Sequence, residues 1–514
     1  MNRTTLSLIA GTTALAAVTG FAALTAPDAS SGDTPAEAAV QLPVERTSLL
    51  CPQPSTSEVG ETTYTSFTPV TKGTDGEGTA ELTEAGADST GNDEKAGKTE
   101  KAGKTEKIDK ADKADKTDKS VLKVEEPGKP VTTDVDSSSS PALIGTAQGK
   151  FAPGWTVQET TEVAAGTGRG LLGVNCTAPD TDFWFPGAST AADRTDYVHL
   201  TNPDDSAAVV DIELYGKDGA LKSSVGEGIT VPPRSSEPVL LPTLVTEKEA
   251  DLTVHVSVRS GRVAAAVQAL DKKLGGDWLA AAADPAGSVV LPGIPKDATS
   301  VHLVAFTPGD TDADLKVRLA SPTGSITPAG NETLHVKAGM TATADLGDVT
   351  RGEAGSLLLT PADESIPVVA ALRVVRGKGD DQETAFIPAT RSVGTRATIT
   401  DNRAKGTTLA LTAPTATAKV KITASAGTTA GEPTTKTFTI KAGTTQNVEM
   451  PAPAGLKGTY ALTVEPISGG PLYASRTLES KLETLPAFTI QTLPDDRGTV
   501  AVPEAEQDLS ILQR

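Results

Sequence analysis

Few residues of this chain could do chemistry: two cysteines, four histidines, one run of alternating aspartates and one aromatic triplet. Cys51 and Cys176 form an even count, which an exported chain usually pairs as a disulfide. Two free buried thiols are the other reading. Phe183, Trp184 and Phe185, near Trp155 and Cys176, are the densest aromatic group in a chain with 3% Phe, Trp and Tyr. Exposed, they would offer a platform to a sugar ring or a protein partner. Buried, they would pack round the disulfide. Asp310, Asp312 and Asp314 could present alternate oxygens to Ca²⁺, yet the glycine and distal glutamate of an EF-hand loop are missing. The matching loops elsewhere in the chain read PDDS and PTAT, so a polar hairpin loop is the competing reading. His199 and His302 are expected at the same place in two successive repeats (YVHL, SVHL), and His255 and His335 fall in other strands. None has a second ligand or an acid at useful spacing. Gly168, Gly170 and Gly173 match G-x-G-x-x-G, but VNCTAPDTDFW cannot be the helix that a dinucleotide site requires. No G-x-S-x-G, H-E-x-x-H or P-loop occurs. The expectation is a non-enzymatic chain with no cofactor.

The elements that must position these residues are repeated β modules. From Ser288 to Arg376, short alternating or aliphatic runs (SVVLPGIP, SVHLVAFTPG, DADLKVRLASPTG) are broken by Pro, Gly, Asp and Asn. That pattern predicts antiparallel strands. It recurs. Pro203, Pro308 and Pro414 are spaced by 105 and 106 residues, and Ala265, Ala370 and Ala474 by 105 and 104. VKAGMT at Val336 has a second copy, IKAGTT, at Ile440, and VPPRSS at Val231 is the first. Pro186, Pro292, Pro388 and Pro486 give 106, 96 and 98. A period of ~100 residues suits an immunoglobulin-like sandwich. A propeller with two blades per repeat is the alternative. The predicted fold is therefore all-β: tandem immunoglobulin-like sandwich repeats behind an N-terminal β module that a disordered charged insert interrupts. The expected divisions are 1–39 (signal peptide or membrane anchor), 40–71 with 146–190 (N-terminal module), 72–145 (insert), 191–285, 286–384 and 385–486 (repeats) and 487–514 (tail).

Composition narrows the compartment and the partners. A net charge of −20 argues against nucleic acid, which needs a basic face. Leu6–Ala26 has no charge and follows Arg3, as expected of a signal peptide or of a single anchor. Membrane contact is expected only through that segment, if it is not cleaved. From Lys95 to Lys119 a lysine stands at every third position among interleaved acids. A period of three holds no helical face, and Ile108 is the one large apolar residue, so a solvated disordered tract is expected. If the cysteines pair, this tract lies inside the disulfide loop.

VERTSLLCPQPSTSE, RGLLGVNC, DFWFPG, GGDWLAAAA and SVVLPG resemble an actinobacterial family of uncharacterised secreted proteins, a domain of unknown function. The resemblance covers most of residues 43–490 and supplies no catalytic residues. It implies a cell-envelope role and a link to membrane glycosyltransferase systems of the wall. The expected function is an exported, non-enzymatic envelope protein that binds or scaffolds envelope components. The alternative is an anchored accessory subunit, or a carbohydrate-binding protein, of wall polysaccharide synthesis. Wall polysaccharide or an envelope protein is the expected partner.

Overall fold

Alternation of side chains builds every sheet of this protein. In Ala313–Ala320, Ala313, Leu315, Val317 and Leu319 are buried while Asp314, Lys316 and Arg318 are exposed, the period of two that a strand with one covered face requires. The structure is a computed structural model that describes residues 40–74, 76–86, 120–450, 452–482 and 485–502. Among them are strands and three short 3-10 turns, with no α-helix. Strands Val40–Pro43 and Thr499–Val502 pair as a two-stranded ribbon. They carry four exposed apolar side chains, Val40, Leu42, Val500 and Val502.

Residues 43–498 form one compact unit that contains four sandwiches of two antiparallel sheets each. One pairing order serves all four. In one sheet the opening strand pairs the antepenultimate strand, which pairs the third strand. In the other, the second strand pairs the penultimate strand, which pairs the closing strand. The opening strands are Arg46–Cys51, Asp182–Ala188, Val289–Ile294 and Ala397–Asn402. The closing strands are Gly170–Asn175, Gly275–Leu279, Glu383–Pro388 and Leu485–Thr492. The N-terminal module is thus a fourth copy of the repeat.

Contacts between sandwiches also repeat, and they close a cycle. Each closing strand touches the closing strands of its two neighbours, first to second, second to third, third to fourth and fourth back to first. A head-to-tail contact that returns to its start makes a ring. Opening strands supply the seams. Their inward residues fill their own sandwich: Leu49 and Cys51, Phe183 and Phe185, Val289 and Leu291, Ala397 and Ile399. The outward residue between them meets the next sandwich. Leu50 packs on Ala264, Trp184 on Phe306 and Val369, and Val290 lies in one cluster with Tyr473. At the seam from fourth to first the equivalent residue is Thr398, just before the bulge at Ile399–Asn402. Each opening strand of the last three sandwiches carries such a bulge, with a left-handed residue in it: Gly187, Gly293 and Asp401.

Several expected boundaries change. The range 72–145 contains strands Ala80–Glu84, Ser120–Val124 and Val131–Asp136 and the start of Leu143–Gln148. They are short and polar on one face, which hid them. The lysine-rich tract and the N-terminal segment lie outside the described residues. The strands flanking the tract pair with each other, Leu82 opposite Leu122. The same connection in the second sandwich is a tight turn between Gly216 and Gly219. DFWFPGA opens the second sandwich rather than ending the first. Glu383–Pro388 closes the third rather than opening the fourth, and Leu485–Thr492 closes the fourth rather than belonging to a tail. The reason is that two opening strands and two closing strands carry the same apolar-Pro-small step (FPG and LPG, IPA and LPA). Pro186 and Pro292 lie in opening strands while Pro388 and Pro486 lie in closing strands, so their spacing mixed two kinds of edge.

Cys51 and Cys176 are bonded. The bridge joins the opening strand of the first sandwich to the residue after its closing strand. It lies in the smallest of the four main cores, with Leu49, Leu82, Trp155 and Val157. That core carries buried polar groups, among them Tyr64, Glu159 and the linked hydroxyls of Thr62, Thr161 and Ser137. A core of this size gains most from a covalent staple.

Candidate functional site

The aromatic platform is not at the surface. Trp155, Phe183, Trp184 and Phe185 are 4%, 6%, 7% and 0% exposed. Trp155 packs with the disulfide and donates Nε1–H to Ser66 Oγ at 2.8 Å. Phe183 and Phe185 belong to the core of the second sandwich. Trp184 turns to the other face of its strand and fills the seam to the third sandwich, 5.5 Å from the Phe306 ring centre. Strand alternation therefore splits the triplet between two hydrophobic layers.

Asp312 and Asp314 flank the His335 ring, with Asp312 Oδ2 3.5 Å from Nε2, rather than gathering with Asp310 round a metal site. Asp314 Oδ1 lies 2.8 Å from His335 Nδ1, and Asp312 Oδ1 accepts the Ala338 N–H at 2.9 Å. Among the described residues no group of three His, Cys, Asp or Glu side chains is placed to hold a metal ion. Three histidines gain acids that sequence spacing did not reveal. His255 lies 2.8 Å from both Asp182 and Glu213 and stacks on Trp184 at 3.8 Å. His302 reaches Asp251 of the second sandwich at 3.1 Å. His199 is buried, and burial lowers its pKa to about 4. His199 and His302 are not equivalent: His199 pairs with Ala266 and His302 with Arg373, while Val304 pairs with Ala371. The two histidines stand two residues apart in the repeat.

Two places gather polar groups from different sandwiches. The first is the seam that closes the ring. There Asp401 accepts from Thr160 Oγ at 2.8 Å, Arg403 donates to Glu162 at 2.9 Å, and Arg396 donates to Thr71 Oγ at 3.0 Å and to the Pro153 carbonyl at 3.2 Å. Beside these contacts the seam opens into a cleft of about 360 Å³. Glu61, Thr63, Thr132, Asp134 and Glu162 of the first sandwich form one wall; Asp401, Arg403, Thr428 and Thr459 of the fourth form the other. Four carboxylates against one guanidinium make a site rich in hydrogen-bond acceptors. It would repel anions and suit a ligand that brings hydroxyl or ammonium donors.

The second place is the buried centre where the closing strands meet. Asp277 accepts the Gly173 N–H at 3.0 Å and the Thr489 hydroxyl at 3.0 Å. Gln491 Nε2 donates to Thr489 Oγ at 2.7 Å, and its carbonyl oxygen accepts from Arg476 Nη2 at 2.5 Å. Burial holds the Asp277 carboxyl well above the usual range and brings Arg476 down to about 10. Nearby, Glu383 has a side chain 2% exposed, and Arg169 Nε, at 3.7 Å, is its ion-pair partner. Neither carboxyl oxygen accepts a hydrogen bond, and burial raises the pKa to about 8. Gly170 and Gly173, glycines of the discarded nucleotide-like motif, serve this junction. A Cβ at Gly170 would stand 2.7 Å from Glu383 Oε2, and one at Gly173 would collide with the Gln491 amide. The sequence signal was present in GLLGVN, GGDWL and FTIQT, but only the ring brings them together.

Among the described residues no helix is long and apolar enough to cross a membrane. The bonded cysteines suit an oxidising compartment. No curated protein matches the chain, and no solved structure matches it. A family of unknown function, DUF5719, matches residues 131–451. The match runs from the middle of the first sandwich into the fourth and so spans most of the ring. The chain belongs to the DUF5719 family.

Proposed function

We propose that this chain is an exported, non-enzymatic protein of the cell envelope that binds or scaffolds envelope components, with the cleft at the closing seam as its point of contact. The observation that carries this reading is the contrast between seams. Three outward residues of the opening strands (Leu50, Trp184, Val290) sit in apolar packing, whereas the seam from fourth to first sandwich, with Thr398 in their place, opens into an acceptor-rich cleft. A ring of sandwiches with a filled centre is a stiff platform, and a groove between two of its members can grip an extended ligand. The uncharged N-terminal stretch and the disulfide support export. The carboxylates and threonines of the cleft also favour a second, narrower reading, a carbohydrate-binding accessory of wall polysaccharide synthesis.

Cosedimentation of the protein with purified wall polysaccharide tests both. The wild type is expected to sediment with the polymer, and Glu61→Gln with Asp134→Asn to reduce that fraction at least tenfold. Equal sedimentation of both proteins would remove the cleft from the proposal. Absence of binding to any wall fraction, with the protein confined to the cytoplasm, would end it.

A further inference from the structure

The buried centre of the ring holds the parts of an acyl-transfer reaction. Thr489 and Gln491 lie two residues apart on one strand, so their side chains share a face. The Thr489 hydroxyl donates to the Asp277 carboxylate, with both oxygens at 3.0 Å. On its other side it lies 2.7 Å from Gln491 Nε2, so the amide carbon is one C–N bond, about 1.3 Å, beyond that nitrogen. The amide oxygen accepts from Arg476 Nη2 at 2.5 Å, where charge would develop on attack. A nucleophile, its base, an electrophile and a cation on its oxygen therefore meet in one network. Asp277, Thr489, Gln491 and Arg476 are 0%, 0%, 4% and 0% exposed, so water is kept from the site.

We propose that Thr489 and Gln491 form an intramolecular ester by self-catalysed reaction in the folded protein. Thr489 Oγ attacks Gln491 Cδ, the Oγ–H proton passes to Asp277, and negative charge gathers on Oε1 against Arg476. The C–N bond then breaks, Asp277 returns the proton to the departing nitrogen, and ammonia leaves. One C–O bond forms, one C–N bond is lost, and no oxidant or second substrate is needed. Burial makes the Asp277 carboxylate a stronger base than an exposed aspartate, and the same burial would protect the ester from hydrolysis. The reaction depends on the closed ring, because Asp277 belongs to the second sandwich and the other three residues to the fourth.

Mass spectrometry of the purified full chain decides the matter. Trypsin should release Leu482–Arg497, whose one side-chain amide is Gln491. In the folded wild type this peptide is expected to be lighter by one ammonia, with no fragment ions between Thr489 and Gln491. Hydroxylamine should open the link. Thr489→Val is expected to restore full peptide mass, and Asp277→Asn to slow the loss at least tenfold in freshly refolded protein. Wild-type peptide at full mass after prolonged incubation of the folded chain would overturn the proposal, whatever the variants do. So would ammonia loss that persists in Thr489→Val.

Discussion

Replacing Glu383 with glutamine should change how stability depends on pH. Glu383 is held at the meeting of the closing strands with both oxygens unbonded and Arg169 Nε 3.7 Å away. In the unfolded chain its carboxyl ionises near the ordinary 4.5; burial raises the folded value to about 8. The folded state therefore holds a proton that the unfolded state releases. Its stabilising effect is complete below pH 4.5, declines as pH rises, and is lost once pH passes about 8. The slope in that window is about 1.4 kcal/mol per pH unit. Between pH 5 and pH 8 the wild type should lose up to about 4 kcal/mol through this group alone, an upper limit if water reaches the ionised side chain. Glu383→Gln keeps the shape and cannot ionise. Urea unfolding, followed by fluorescence of the three tryptophans at pH 5, 7 and 9, should show the two proteins diverging as pH rises, with the variant the more stable at pH 9. Glu159 and Asp401, also raised by burial, slope the same way in both proteins and cancel in the comparison; Asp277, which burial and the Glu383 charge both raise, titrates lower in the variant and adds to the divergence. Parallel curves for the two proteins would refute the reasoning.

Two further outcomes follow from the geometry. Trypsin acting between Lys95 and Lys119 should leave one band on a non-reducing gel and two after reduction, because Cys51 and Cys176 flank the tract; removing the bridge should cost about 4–5 kcal/mol on the chain-entropy model, and two bands without reductant would contradict the pairing. Gly293→Ala should lower stability by about 2–4 kcal/mol, since its Cβ would collide with Ser475 Oγ on a left-handed backbone (φ 85°). Gly187→Ala, whose Cβ would meet only Val304 Cγ2 at 3.9 Å beyond its chain neighbours, should cost only about 1 kcal/mol, and equal thermal shifts for the two would disprove the account of the seams.

Much of the fold was legible because strands advertise themselves by alternation, and the clearest landmarks sat in equivalent places. Ala265, Ala370 and Ala474 all lie in penultimate strands, and Pro203, Pro308 and Pro414 all follow second strands. The first sandwich escaped recognition as a copy because its third and following strands are AELTE and SVLKV, with a long insert between them. The candidate site was nearly illegible. Asp277, Thr489 and Gly173 are separated by 104 residues and more, and nothing local to any of them signals the others. The aromatic triplet left an exposed platform and a packed core both open for a physical reason: an opening strand buried on both faces needs apolar residues at successive positions, which alternation alone does not distinguish from an exposed patch.

The amino-acid order by itself determined the all-β class, the period near 100 residues and the charge-interleaved insert, because these depend on neighbours a few residues apart. Tertiary structure decided the rest. It placed the closing strands round one buried centre, filled three opening-strand positions with Leu50, Trp184 and Val290, and left a polar cleft at the closing seam. It also raised the pKa of Glu383 to about 8 by taking the carboxyl out of water. Burial, seam packing and the meeting of distant strands depend on where the ring returns to its beginning, and no window of the sequence contains both ends of it.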